Sequence, residues 1–270
     1  MKERPARYGW SFDAFTALPL VSYLLIVFVL VAGVFSRITI PALWEAFSDP
    51  ALGHAIILSL VTSGISTVLA VLVAVPGAYF MSRHRFPGYF LVDTLLDLPI
   101  VLPPLVMGLC VLIFFNTSVG RWIDRGIVKE GLFIYQPMGI VLVQFVVGCA
   151  FAVRAIKAGF DGIDRRLEEV SLTLGARRGQ AFFKVVLPNI IPSLIAGLVI
   201  SWARIFGLFG PVLLVAGTMR NRTEIMPTTI FLETSIGRLE VALVVGACMI
   251  LISSLTLIAF KRLGGKGYLW

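Results

Sequence analysis

Six apolar stretches alternate with polar segments along the chain, at about 18–36, 55–81, 98–115, 137–156, 191–216 and 239–260. Each is long enough to cross roughly 30 Å of hydrocarbon as a helix. The pattern predicts an all-α membrane protein with about six transmembrane helices in a single domain over residues 1–270. Two stretches are interrupted. Leu98-Pro99-Ile100-Val101-Leu102-Pro103-Pro104 opens the third, and Gly207, Gly210-Pro211 and Gly217 punctuate the fifth. A proline removes a backbone donor and crowds the preceding turn, so these helices are expected to be kinked or to start late. Broken helices in membranes occur where irregular backbone lines a cavity. Pro103, Pro104, Gly207 and Gly210 are therefore candidates for lining a path. Small residues at Ser59, Ser63, Gly64, Ser66 and Thr67 suit close helix contact in the second span.

One polar segment stands apart. Residues 158–189 read AGFDGIDRRLEEVSLTLGARRGQAFFKVVLPN. An acidic, helix-compatible front runs from Asp164 to Leu174 and includes Glu168, Glu169 and Ser171. A glycine stop follows at Gly175 with Ala176 behind it, then a basic turn at Arg177 and Arg178. Phe182 to Leu187 closes the segment at Pro188. This is the layout of a short surface helix at a membrane face, where a water-soluble partner can grip it.

Composition removes the soluble alternatives. Hydrophobic residues make up 58% of the 270-residue chain, charged residues 14%, and mean hydropathy is +0.95. The net charge of +8 does not point to nucleic acid, because the basic residues are dispersed between spans. They fit topology instead. Segments 1–17, 82–97, 157–190 and 261–270 hold fourteen basic residues, Lys2, Arg4, Arg7 and Lys266 among them, against seven in the remaining loops. The positive-inside rule then places both termini and the 158–189 segment in the cytoplasm. The run from Leu18 to Phe35 is followed by no Ala-x-Ala cleavage site and is read as a retained first span rather than a signal peptide.

No catalytic or metal-ligating constellation is visible. Cys110, Cys149 and Cys248 lack pair or metal spacing, and His54 and His84 stand without companions. A phosphate-binding Gly-x-x-x-x-Gly-Lys-Ser/Thr loop is absent, as is His-Glu-x-x-His. Among ionisable residues, Arg204 is the one that packing alone explains worst. It lies about two-thirds of the way through the fifth stretch, where a charge costs at least about 2.5–3.5 kcal/mol, and is expected to face a wet path. Asp97 reads as an interfacial cap, Arg154 as an interface anchor, and the loop from Thr218 to Arg238 as solvated.

The order Glu169, then Gly175 six positions on, then Leu187-Pro188 resembles the signature loop of ABC-importer permeases. That pattern begins Glu-Ala-Ala in the family and stands here as Glu169-Val170-Ser171. Further stretches are similar to the molybdate, tungstate and sulfate branch: Val75-Pro76-Gly77-Ala78-Tyr79, the proline-rich 98–104 run, Trp202-Ala203-Arg204-Ile205-Phe206-Gly207-Leu208-Phe209-Gly210, and Arg222-Thr223-Glu224. The family commonly carries a glutamate where Leu208 stands. The resemblance implies the type I ABC importer permease architecture. It implies a cytoplasmic coupling helix in which Asp164, Glu168, Glu169, Ser171, Gly175, Ala176, Leu187 and Pro188 meet the ATPase. The translocation path would involve Arg204, Gly207, Gly210, Pro103 and Pro104. It further implies no cofactor in this chain, since ATP and magnesium bind the partner ATPase. The implied partners are a second copy, two ATPase subunits on the cytoplasmic side, an external substrate-binding protein and membrane lipid, in the inner membrane of a prokaryote.

The implied cargo is a tetrahedral oxyanion: molybdate, tungstate or sulfate. A permease of the same architecture for phosphonate, iron or thiamine stays open at this stage. An ATP-independent channel or carrier fits less well, given the large polar 158–189 segment and the scarcity of mid-span acidic residues for ion coupling. An intramembrane enzyme fits least.

Overall fold

The computed structural model describes residues 10–126, 128, 129 and 131–263. Lys2, Arg4, Arg7 and Lys266 of the charge-bias argument lie outside them. The described residues form helices throughout: α1 (Trp10–Ser36), α2 (Ile40–Ser48), α3 (Pro50–Arg83), α4 (Tyr89–Val101), α5 (Pro104–Asn116), α6 (Ser118–Arg125) and α7 (Pro137–Asp161). Then come α8 (Arg166–Thr173), α9 (Arg178–Ala181), a π-helical turn at Phe182–Val186, α10 (Leu187–Asn189), α11 (Ile191–Phe206), α12 (Gly210–Ala216), α13 (Met226–Ser235) and α14 (Leu239–Leu263). Four helices are long and apolar enough to cross a membrane, or up to six if each of two bent pairs is one span.

Four of the six expected spans coincide with the long helices α1, α3, α7 and α14, with altered ends, and the third and fifth are broken. The third stretch is two helices, α4 and α5, meeting at 113° across Leu102 and Pro103. Its first helix begins at Tyr89, nine residues before the predicted start. The fifth stretch ends as a helix at Phe206 and resumes at Gly210 as α12. On its other side α11 meets the Arg178–Asn189 segment at 70°.

Helix α7 is the axis of the bundle, with α3 and α11 against it. Small residues let the backbones approach, as expected where lipid removes the hydrophobic drive between helices. Ala70, Ala74 and Ala78 of α3, four residues apart, are fully buried against Ala152, Ile156 and Phe160 of α7. Ser66 Oγ donates to the Val141 carbonyl at 3.0 Å. Ser59, Ser63, Ser66 and Thr67 are buried as expected, whereas nothing lies within 4 Å of a side chain built at Gly64. The Cβ side of that glycine faces open space in the single chain. Against α11, Ser201 Oγ donates to the Gly148 carbonyl at 2.8 Å, and a Cβ at Gly148 would meet Ile205 at 2.2 Å.

The segment from Thr218 to Arg238 is not a solvated loop. It contains α13, and two of its three arginines, Arg220 and Arg238, are tied down, while Arg222 is exposed. Glu233, 2% exposed, pairs with Arg220 and with Arg238 Nη1 at 3.3 Å. Arg220 also reaches Asp49 at 3.3 Å, and Arg238 reaches Glu45 at 2.6 Å. These pairs lock the segment to the α2–α3 corner.

Candidate functional site

Two regions gather the residues singled out in the sequence. The first is α8 with its flanks. Asp164 Oδ1 accepts from the Arg166 amide at 3.0 Å and so caps the helix entry. Glu168 and Glu169 fill the first turn, where the helix dipole favours negative charge. These adjacent carboxylates then diverge. Glu168 turns inward: the Tyr79 hydroxyl donates to it, and Arg83 Nε donates to its Oε2 at 3.1 Å. Arg83 Nη1 in turn donates to the Phe160 carbonyl of α7 at 3.2 Å. One arginine therefore links α8, α3 and α7. Glu169 points out, exposed.

The rest of this segment closes the turn. Ser171 Oγ donates to the Glu168 carbonyl at 2.7 Å, and the Ala176 amide donates to the Ser171 carbonyl at 3.1 Å. Gly175 adopts φ +90°, a left-handed conformation that side chains resist and that commonly ends helices. Leu187 packs on the apolar cluster around Phe160 and Ile190, while Pro188 is exposed. Leu167, Val170 and Leu174, spaced to share one helix face, are all exposed, Leu174 at 83%. The outer surface of α8 is thus an apolar ridge, Glu169 lies exposed away from that ridge, and Glu168 clamps the helix to the bundle.

The second region joins the two broken helices. The α4–α5 break and the α11–α12 break, read separately in the sequence, are neighbours in space. A Cβ at Gly108 would lie 2.5 Å from the Pro211 Cα, and one at Gly210 would lie 3.0 Å from Leu105 Cδ1. Only glycine permits that approach. Pro103, Pro104 and Gly207 are exposed here. Arg204 is not mid-helix: it sits in the last turn of α11, where unpaired carbonyls and the helix dipole favour a cation. Its guanidinium lies 5.0 Å from the centroid of the Phe151 ring, a cation–π distance. It has no ion pair among the described residues and is exposed at the surface of the single chain. Leu208 is buried among Ile140, Val143 and Val212.

Sequence reasoning missed one polar cluster nearby. Asp97 is not a cap, because α4 runs through it. Arg154 Nε donates to Asp97 Oδ1 at 2.5 Å and Nη1 to Asp93 Oδ1 at 2.7 Å. Arg154 is therefore a clamp between α7 and α4 rather than an interface anchor. The four-residue spacing of Asp93 and Asp97, one helix turn, was the available signal.

The family described as binding-protein-dependent transport system inner membrane component matches residues 70–266. The sulfate transport system permease protein CysT of Escherichia coli (strain K12) is 32% identical over 192 residues, covering 70% of this chain and 68% of CysT. The molybdenum transport system permease protein ModB of the same strain is 34% identical over 185 residues, 66% of this chain and 78% of ModB. The molybdate/tungstate transport system permease protein WtpB of Thermococcus kodakarensis is 36% identical over 174 residues, 64% of each chain. Among solved structures, a chain of a bacterial alginate ABC transporter in complex with its pentasaccharide-bound periplasmic protein matches with a TM-score of 0.76. Identity there is 19%, covering 95% of this chain and 94% of that one. A chain of the inward-facing MetNI methionine ABC transporter matches with a TM-score of 0.64 at 16% identity, covering 84% and 98%. These likenesses show the type I ABC importer permease fold.

Proposed function

Because the chain belongs to the family of binding-protein-dependent transport system inner membrane components, a non-catalytic permease family, we propose that it forms the translocation path of an ATP-driven importer for a tetrahedral oxyanion. Molybdate, tungstate and sulfate are the candidates, by analogy with the named cargoes of its relatives. The observation that carries this reading is Arg204, an unpaired cation at the end of a broken helix, beside Gly207 and next to the Pro103–Pro104 break. Arg204 and the free groups at the helix ends stabilise a passing dianion in place of part of its water, without an enclosing site that would trap it.

In the same reading the 158–189 segment faces the cytoplasm with both termini, and the whole chain is one transmembrane domain. Helix α8 docks its Leu167, Val170 and Leu174 ridge and Glu169 on a separate ATPase. A displacement of α8 passes through Glu168 to Arg83 and Tyr79 of α3, and through Arg83 to the Phe160 carbonyl of α7. Two ATPase subunits supply ATP hydrolysis, and an external binding protein delivers the anion.

The test is uptake by proteoliposomes carrying the permease, its ATPase and its binding protein, with labelled molybdate, tungstate and sulfate offered separately. At least one should accumulate in an ATP-dependent way. Arg204→Gln should reduce uptake about tenfold or more, a loss of about 1.4 kcal/mol, with the melting temperature close to wild type. Accumulation of a different solute and none of the three would overturn the substrate class. An early-melting Arg204→Gln whose folded fraction transports normally would make Arg204 structural.

A further inference from the structure

A second cluster of cations lies behind α8, on the side away from its apolar ridge; Arg83 in it pairs with Glu168, and Arg165 donates to the Ser82 carbonyl. A cleft of about 760 Å³ opens between the last turns of α3 and the α8–α9 segment. Arg83, Arg165 and Arg178 line it, with His84 at the same end of α3. The carboxylates present are Glu168 and Glu169, and Glu168 is already engaged by Tyr79 and Arg83. Three guanidiniums against two carboxylates leave the cleft positive.

Arg83 is the informative residue. Its side chain is only 8% exposed. Nε serves Glu168 and Nη1 serves the Phe160 carbonyl, but Nη2 is buried with no acceptor. A buried donor left unpaired costs about 1–3 kcal/mol, more when charged. Arg178, exposed at the other side of the cleft, makes no side-chain hydrogen bond or ion pair among the described residues. The site thus holds spare donors and spare charge. Pro76, Phe80, Leu172 and Phe182 form an apolar wall of the same cleft. Pro76 and Phe80 lie one to two turns deeper along α3 than Arg83, and Phe80 is half exposed.

We propose that this cleft binds the phosphodiester headgroup of an anionic phospholipid, with Arg178 on the phosphate, the buried Arg83 adding positive charge behind it, and an acyl chain along Pro76 and Phe80. A guanidinium fork matches two phosphate oxygens. The cleft lies where the long apolar helix α3 ends, and basic pockets between membrane helices suit such lipids. A free phosphate shares the chemistry of the headgroup but has no use for the apolar wall, so the lipid is the occupant that uses both. Bound there, it braces α8 against α3. The inference holds whichever solute crosses the membrane.

The test is native mass spectrometry of the delipidated full-length chain, titrated with phosphatidylglycerol or with phosphatidylcholine of the same acyl chains. One phosphatidylglycerol per chain should bind in preference to phosphatidylcholine. Arg178→Gln should weaken phosphatidylglycerol about fivefold, one basic residue's worth of attraction, and leave phosphatidylcholine unchanged; Arg178→Lys should restore most of the preference. Equal phosphatidylglycerol retention by wild type and Arg178→Gln would overturn the proposal. So would a melting temperature raised by inorganic phosphate with no phosphatidylglycerol preference, which would mark a free-anion site instead.

Discussion

Side chains next to one another in this sequence take opposite environments, and their chemistry follows from that. Leu208 turns into an apolar cluster while Arg204 turns out to the surface. A carboxylate in place of Leu208 would lose its water without reaching that arginine. Glu224 is the harder case. It is 1% exposed, and neither carboxylate oxygen has a hydrogen-bond partner. Thr229 gives its hydroxyl hydrogen to the Ile225 carbonyl at 3.1 Å instead. Burial raises the Glu224 carboxyl above its ordinary value; Arg220 opposes this, and Glu233 and Asp49 add to it. The folded chain therefore holds this proton more tightly than the unfolded chain. Its stabilising contribution is complete below the ordinary carboxyl range and is lost as pH rises through the elevated value. Glu224→Gln, which keeps the neutral form at every pH, should melt above wild type at pH 8, by about 2–4 °C for each kcal/mol recovered. The two curves should converge near pH 4. Parallel melting curves from pH 4 to 8 would mean that Glu224 is ionised and paired in the fold.

At the scale of elements, the turn after α8 carries the sharpest prediction. Nothing lies within 4 Å of a side chain at Gly175, yet its φ of +90° strains any substituent, at about 1–3 kcal/mol. Gly175→Val should therefore reorient α8 without disturbing the bundle: ATP hydrolysis by the assembled importer persists while uptake falls. Normal uptake by that variant would show that α8 is not the coupling element. The sequence displayed this segment well, since its cap, acidic turn and glycine stop are all local. It displayed the breaks in α4–α5 and α11–α12 too, because proline and glycine act locally. The inward turn of Glu168 and the start of α4 at Tyr89 were hidden. Asp93 and Asp97 pull that stretch out of the apolar pattern, and the Arg154 that neutralises them lies more than fifty residues away. Helices α2, α6 and α13, of 9, 8 and 10 residues, are too short to register as spans.

On the scale of the molecule, the candidate path lies on the outside. Ile200, Ala203, Arg204 and Gly207 form one exposed face of α11, and Pro103 and Pro104 are exposed beside the adjoining break. An arginine facing hydrocarbon is costly, so this surface requires something other than lipid against it. Helix α1 adds a second unsatisfied feature: its apolar window has no residue buried in the single chain, and it touches the bundle chiefly through α14. We propose a second copy related by a two-fold axis as that partner, a wall for the α11 face that closes the path between identical Arg204 residues. Such closed pairs are the commonest symmetric assembly. Native mass spectrometry of the importer purified through its ATPase should therefore show two copies of this chain with two ATPases. Substituting cysteine at Ala203 should give a disulfide-linked permease dimer on oxidation, while Cys149, partly buried inside the bundle, should not. A complex holding one copy, or this chain paired with a different permease, would refute the homodimer and leave the Arg204 face to another partner.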